Sequence, residues 1–192
     1  MPEDPTRAEL PVDLDRWPND WIRAISAPLK PAGVLIPIIE RAPHLTVLLT
    51  RRSAELKHHA SQISFPGGRM EKHDDDILAT ALRETHEEVG ILASAVRVIG
   101  NLEPQPTVTG YAVTAIIGLI EPPVKLAIDR GEVDVAFEVP LSFLMDPHNA
   151  KRSVRTYRGY TVPTTEFHFG GHRIWGATAN MLVKLRDTVN KQ

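Results

Sequence analysis

Asp74-Asp75-Asp76-Ile77-Leu78-Ala79-Thr80-Ala81-Leu82-Arg83-Glu84-Thr85-His86-Glu87-Glu88-Val89-Gly90-Ile91 is the stretch on which the reading of this chain turns. Asp76 to Val89 reads as one helix, closed by Gly90 at the C-cap. The aspartates stand where orphan N–H groups and the positive end of the helix dipole favour them, and Asp76 is the preferred cap. On a wheel advanced by about 100° per residue, Ile77, Leu78, Ala81, Leu82, Thr85 and Val89 share an arc of about 140°, the expected core face. Glu84, Glu87 and Glu88 cluster on the edge of that face, with Glu88 inside it. A solvated acidic face would avoid the apolar arc, because a buried lone carboxylate is costly and like charges four residues apart destabilise a helix. A hard divalent cation held by oxygen ligands removes both objections. On the wheel alone, the solvated face and the metal site both stay open.

The rest of the chain narrows the class. Its 192 residues fit one domain, 42% hydrophobic and 24% charged, and 22 basic against 24 acidic side chains leave a net charge of −2. That balance argues against nucleic-acid or membrane-surface binding. The absence of cysteine excludes disulfides, zinc–thiolate sites and thiol nucleophiles. The most apolar runs, Val34–Ile39 and Ala115–Ile120, are too short to span a bilayer, and no secretory signal opens the chain. A cytoplasmic protein with no membrane partner is therefore expected.

Two parts are expected: residues 1–30 as an N-terminal arm with a short helix at Asn19–Ser26, and residues 31–192 as the main domain. Trp17 and Trp21 in the arm, with Trp175, read as core or interface anchors, which leaves room for a homodimer. Strands are predicted at Val34–Ile39, Thr46–Thr50, Val96–Leu102, Val113–Ile120, Val133–Val139, Tyr157–Val162 and Phe167–Ile174, with a last helix at Gly176–Val189. Arg51 to Met70 reads as a mostly polar stretch with a loop at Phe65-Pro66-Gly67-Gly68. His73, His86, His168 and His172 have no transition-metal spacing and read as structural or surface residues.

Gly68 followed by Arg83-Glu84-Thr85-x-Glu87-Glu88-x-Gly90-Ile91 resembles the Nudix box, G-x5-E-x7-R-E-U-x-E-E-x-G-U. The interval from Gly68 to Arg83 is one residue longer than that form, the mid-box acid is Asp74 or Asp75, and Thr85 replaces the aliphatic residue. The extension and the Asp resemble the coenzyme A pyrophosphatase subfamily. So does Leu48-Leu49-Thr50-Arg51-Arg52-Ser53 through Gln62-Ile63-Ser64-Phe65-Pro66-Gly67-Gly68, similar to L-L-T-x-R-S-x3-R-x3-G-Q-x2-F-P-G-G. Lys57 stands there for Arg, losing the planar fork, and Ser61 stands for Gly, which matters if the turn needs a positive φ.

The resemblance implies a Nudix α/β/α sandwich with a mixed β-sheet. It implies hydrolysis of the pyrophosphate of coenzyme A or a derivative, dependent on Mg2+ or Mn2+, giving 3′,5′-ADP and 4′-phosphopantetheine. Glu84, Glu87 and Glu88 match the metal ligands, Glu84 or Glu87 also handling the proton of the attacking water. Arg83 matches the arginine that holds the glutamates, and Glu132 a further catalytic or metal-bridging acid, although its local pattern slightly favours a solvent-facing strand residue. Arg52, Lys57, Gln62, Gly67 and Gly68 are the expected substrate contacts. ADP-ribose or NADH as substrate is the first alternative, and a non-catalytic nucleotide-binding regulatory module the second.

Overall fold

The computed structural model describes residues 28–56, 59–157 and 160–190, so the expected helix at Asn19–Ser26 and the residues Trp17, Trp21, Lys57 and His58 lie outside the described residues. Along the chain run β1 (Lys30–Arg41), β2 (His44–Arg52), β3 (Ile63–Ser64), β4 (Gly67–Arg69), α1 (Ile77–Val89), β5 (Arg97–Asn101), β6 (Gln105–Pro106), β7 (Tyr111–Ile120), β8 (Val133–Pro140), α2 (Leu141–Met145), β9 (Lys151–Tyr157), β10 (Tyr160–Phe169), β11 (His172–Trp175) and α3 (Gly176–Val189). β1 lies parallel to β7 over Lys30–Ile39 and antiparallel to β2. With β3, β4, β5, β6 and β8 they make a mixed sheet of eight strands, while β9, β10 and β11 form an antiparallel sheet of three.

Both faces of the large sheet are covered, which is why its central strands read as unbroken apolar runs. Leu35, Ile39, Leu48, Ile116 and Ile120 pack on the side of α1, against Ala81, Val89 and Ile91. Ile36, Ile38, Val47, Leu49, Val113 and Ala115 pack on the other side, against Leu182 and Leu185 of α3 and Phe167 and Ile174 of the small sheet. Each such Leu or Ile, fully buried, contributes about 1.5–3 kcal/mol. No helix of the described residues is long and apolar enough to cross a membrane.

Several expectations need correction. The strand expected at Tyr157–Val162 instead straddles two antiparallel strands, with Tyr157 ending β9 and pairing with Tyr160 of β10, and Gly67-Gly68, expected in a loop, open β4. Phe167–Ile174 is not one strand, because Gly170 and Gly171 take φ of 56° and 79° and turn the chain back between β10 and β11. α2 and β9 were not anticipated: α2 is one short turn after Pro140, and β9 (KRSVRTY) shows no apolar alternation. The buried face of α1 is also rotated from the expected arc. Thr80, Ala81, Thr85, Glu88 and Val89 are buried, while Ile77, Leu78 and Leu82 are partly covered. Two threonines enter the core because their hydroxyls are satisfied there. Thr85 Oγ1 donates to the Ala81 carbonyl at 2.6 Å, and Thr80 Oγ1 to Asp74 Oδ2 at 3.0 Å.

Candidate active site

The termini of α1 follow the sequence. Asp76 is the N-cap, its Oδ1 accepting from the Ala79 N–H at 2.7 Å, and Gly90 is a left-handed C-cap whose N–H donates to the His86 carbonyl at 2.9 Å. Between the caps, the helix turns its carboxylates onto two arginines. Arg83 grips Asp74 with both prongs, Nε to Oδ1 at 2.8 Å and Nη2 to Oδ2 at 2.9 Å. Its Nη1 donates to Glu84 and to Glu87, each at 2.9 Å. One guanidinium thus serves three carboxylates, the Nε–Nη2 edge on Asp74 and Nη1 on both glutamates, which its planar fork allows.

Glu88 lies on the opposite flank, with 1% of its side chain exposed. Its Oε1 accepts from Arg52 Nη1 at 3.2 Å, and its Oε2 has no hydrogen-bond partner. Burial, together with the negative charges of Glu132 and Glu84, outweighs Arg52 and pushes the Glu88 carboxyl up to about 8. Burial also raises Glu84, against the pull of Arg83. An oxygen left unpartnered in the interior is expensive unless a cation takes it.

The glycine loop closes the site from the sheet side. At Gly68 a Cβ would lie 2.5 and 2.6 Å from the two carboxylate oxygens of Glu84, so the backbone passes directly beneath that side chain. At Gly67 (φ 150°) a Cβ would lie 2.5 Å from the Gly33 carbonyl oxygen and from Val34 Cα. Two outcomes separate accordingly. Gly68→Ala meets only a flexible side-chain end, so it is expected to keep its melting temperature within about 2 °C yet lose on the order of 100-fold in turnover as Glu84 is displaced. Gly67→Ala meets backbone and is expected to lose several kcal/mol of stability, on the order of 3, in a urea titration.

Among the described residues, no three acidic or imidazole groups converge as a ready-made metal shell. The donors nonetheless fit a hard divalent ion. They are carboxylates only, gathered over a glycine backbone, and one of them carries a buried free oxygen. Residues 29–158 match the NUDIX domain family. The chain belongs to the Nudix hydrolase family. It is 42% identical over 158 residues to the uncharacterised Nudix hydrolase NudL of Photorhabdus laumondii subsp. laumondii, covering 82% of this chain and 84% of that protein. To the NudL of Yersinia enterocolitica it is 39% identical over 167 residues, covering 83% and 81%. The Nudix hydrolase RenU of M. smegmatis superposes with a TM-score of 0.58 at 18% identity, over 84% of this chain and 86% of that one. As a Nudix hydrolase the chain is a pyrophosphohydrolase of a nucleoside diphosphate derivative, and the family generally uses divalent metal ions.

Asp74, Arg83, Glu84 and Glu87 form one hydrogen-bonded group, and Glu88 stands with Arg52 and Glu132 beside it. Asp74, 3% exposed along its side chain, is the buried seat of Arg83. The motif left Asp74 and Asp75 open as the mid-box acid, and Asp74 is the one that Arg83 holds. Glu132 is half-buried one residue before β8. Its carbonyl accepts from the Ser53 N–H at 2.8 Å, and its charge bears on both Glu84 and Glu88. That placement takes it out of the solvent-facing role which its alternation allowed. Arg52, expected at the substrate, forms an ion pair with Glu88.

The turn before the glycine loop explains the Ser61 departure. Ser61 has φ of 59° and His59 of 58°, so the turn does require the left-handed region. Gln62 Oε1 lies 2.9 Å from His59 Nδ1, holding that turn together. Ser61→Gly is expected to stabilise the protein by about 1 kcal/mol, read as a rise in Tm of roughly 2–4 °C.

Proposed function

We propose that this Nudix hydrolase cleaves the pyrophosphate of coenzyme A or a derivative, with Mg2+ or Mn2+ held by Glu84, Glu87 and Glu88. The observation that carries the reading is the junction of the two motifs. Arg52, at the end of β2, accepts from the Ser61 N–H at 3.1 Å and donates its own N–H to the Gln62 carbonyl at 2.9 Å. The same segment continues through Phe65 and Pro66 to Gly68, beneath Glu84. Arg52 and Gly68 of the subfamily-like stretch Leu48–Gly68 therefore both stand against the carboxylates, which supports reading that stretch as part of the site.

The bound ion would offset the charge of the pyrophosphate and favour ionisation of the attacking water. Glu84 or Glu87 accepts the water proton, since 14% and 54% of their side chains are exposed against 1% for Glu88. Arg83 holds those two carboxylates in place through Asp74. Glu132 adds a fourth negative charge beside them, and an unchanged turnover number in Glu132→Gln removes it from this set. Gln62, Gly67 and Gly68 line the approach, and Lys57, outside the described residues, is assigned to a substrate phosphate by its place in the motif. In the reaction water adds one oxygen to one phosphorus, the bridging P–O bond breaks, and two phosphate monoesters leave.

The test offers coenzyme A, ADP-ribose and NADH separately with Mg2+ or Mn2+, and identifies products by chromatography. Release of 3′,5′-ADP and 4′-phosphopantetheine, fastest from coenzyme A, is the expected result. AMP from ADP-ribose or NADH with coenzyme A untouched would move the substrate to that class, and tight nucleotide binding with no turnover would make the chain a regulatory module.

A further inference from the structure

Arg51 and Arg52 are adjacent on β2, yet they serve different partners. The β2–β8 register slips between them, pairing Arg51 with Val135 and Arg52 with Val133. Such irregularities commonly re-aim a side chain beside a functional site. Arg51 takes Asp134 at the surface, at 2.6 Å, while Arg52 turns under α1 to Glu88 with 23% of its side chain exposed. The Arg52 backbone is fixed on both sides. It exchanges hydrogen bonds with Ser61 and Gln62, and the next residue, Ser53, donates its N–H to Glu132. A guanidinium on so well-tied a backbone has little freedom to leave its carboxylate.

We infer that Arg52 is a positioning residue for Glu88: it fixes the direction of the one box glutamate that Arg83 does not reach. Arg83 serves Glu84 and Glu87 on one flank, and Arg52 serves Glu88 on the other. The two arginines together orient all three box carboxylates, and the second of them comes from the loop-side motif rather than from the box. This replaces the substrate contact that the motif alone suggests for Arg52. The inference rests on reading Glu84, Glu87 and Glu88 as the divalent-ion site.

The test measures Mn2+ binding to the full chain without substrate, by electron paramagnetic resonance of free Mn2+, for wild type, Arg52→Ala and Arg52→Lys. It then measures kcat and KM at saturating Mn2+ with whichever of coenzyme A, ADP-ribose and NADH the wild type hydrolyses fastest. Arg52→Ala is expected to weaken Mn2+ binding by about 10–100-fold, as loss of an outer-shell partner does. KM at saturating Mn2+ is expected to stay within about threefold, and Arg52→Lys to recover part of the lost affinity. Unchanged Mn2+ affinity with KM raised about tenfold would overturn the inference and return Arg52 to the substrate. Wild type that binds no Mn2+ would overturn the ion-site reading itself, a result separable from the first. If Arg52→Ala does not fold, Arg52→Lys and Arg52→Gln carry the same comparison.

Discussion

Glu88→Gln is expected to cut turnover by on the order of 10³-fold and, at the same time, to raise the melting temperature of the metal-free protein. The two effects have one cause. The folded protein holds the Glu88 carboxyl at about 8 against an ordinary 4.5, chiefly through burial. A carboxyl raised in the folded state keeps its proton there after the unfolded chain has lost it. Its effect on stability is therefore most favourable below about pH 4.5, declines as pH rises through about 8, and is constant above that. The full decline is on the order of 5 kcal/mol, at 1.36 kcal/mol for each pH unit between the two values. Gln fills the same space without titrating, so it escapes this decline. In EDTA the variant should melt higher than wild type by roughly 10 °C near pH 9, with the gap closing towards pH 5. Saturating Mg2+ should reverse the order, because only wild type gains the full binding energy of the ion. A variant that melts at or below wild type throughout would show that Glu88 is not a strained, ligand-ready carboxyl.

Arg83→Ala is the second large effect, and here stability and activity fall together. The substitution strands Asp74, a buried carboxylate that has Arg83 as its bidentate partner, and releases Glu84 and Glu87. Removing one member of such a pair costs on the order of 3 kcal/mol, and losing the outer-shell support of two metal-site carboxylates costs about 10–100-fold in turnover. The pH dependence has the opposite sign to that of Glu88. Arg83 holds the Asp74 carboxyl well below the usual carboxylate range, so this pair stabilises the fold above the ordinary value of 3.8 and its contribution fades as pH falls below it. Urea titrations of wild type should lose stability on acidification below about pH 4, and those of Arg83→Ala should lose less. Arg83→Lys restores the charge but not the fork, and is expected to recover only part of either loss. Asp74→Asn combined with Arg83→Ala should cost much less than the sum of the two single changes. Additive costs would mean that the two residues do not act as a unit.

The sequence carried α1 and the central strands further than the short elements around them. α1 was legible because a 3.6-residue period, an Asp cap and a terminal Gly agree, and because Glu88 falls where an acid has no business without a cation. The central strands were legible because both their faces are buried. The pairings that orient the carboxylates were not, since Arg52 and Glu88 stand 36 residues apart and only the folded sheet brings them together. The choice between Asp74 and Asp75 as the mid-box acid was open in the same way, and only the folded chain sets Asp74 against Arg83 while Asp76 caps the helix. The Gly170-Gly171 turn had its signal in plain view, because paired glycines between short apolar runs mark a hairpin. The polar β9 offered no comparable signal.

The most direct test of the account is hydrolysis of coenzyme A in ¹⁸O-enriched water with Mg2+, read by mass spectrometry of both products. One ¹⁸O in one of the two phosphate monoesters, absent in EDTA and lost in Glu88→Gln, is the result predicted for water attack in this carboxylate site. Coenzyme A left intact, or cleavage that proceeds equally without a divalent ion or without Glu88, would contradict it.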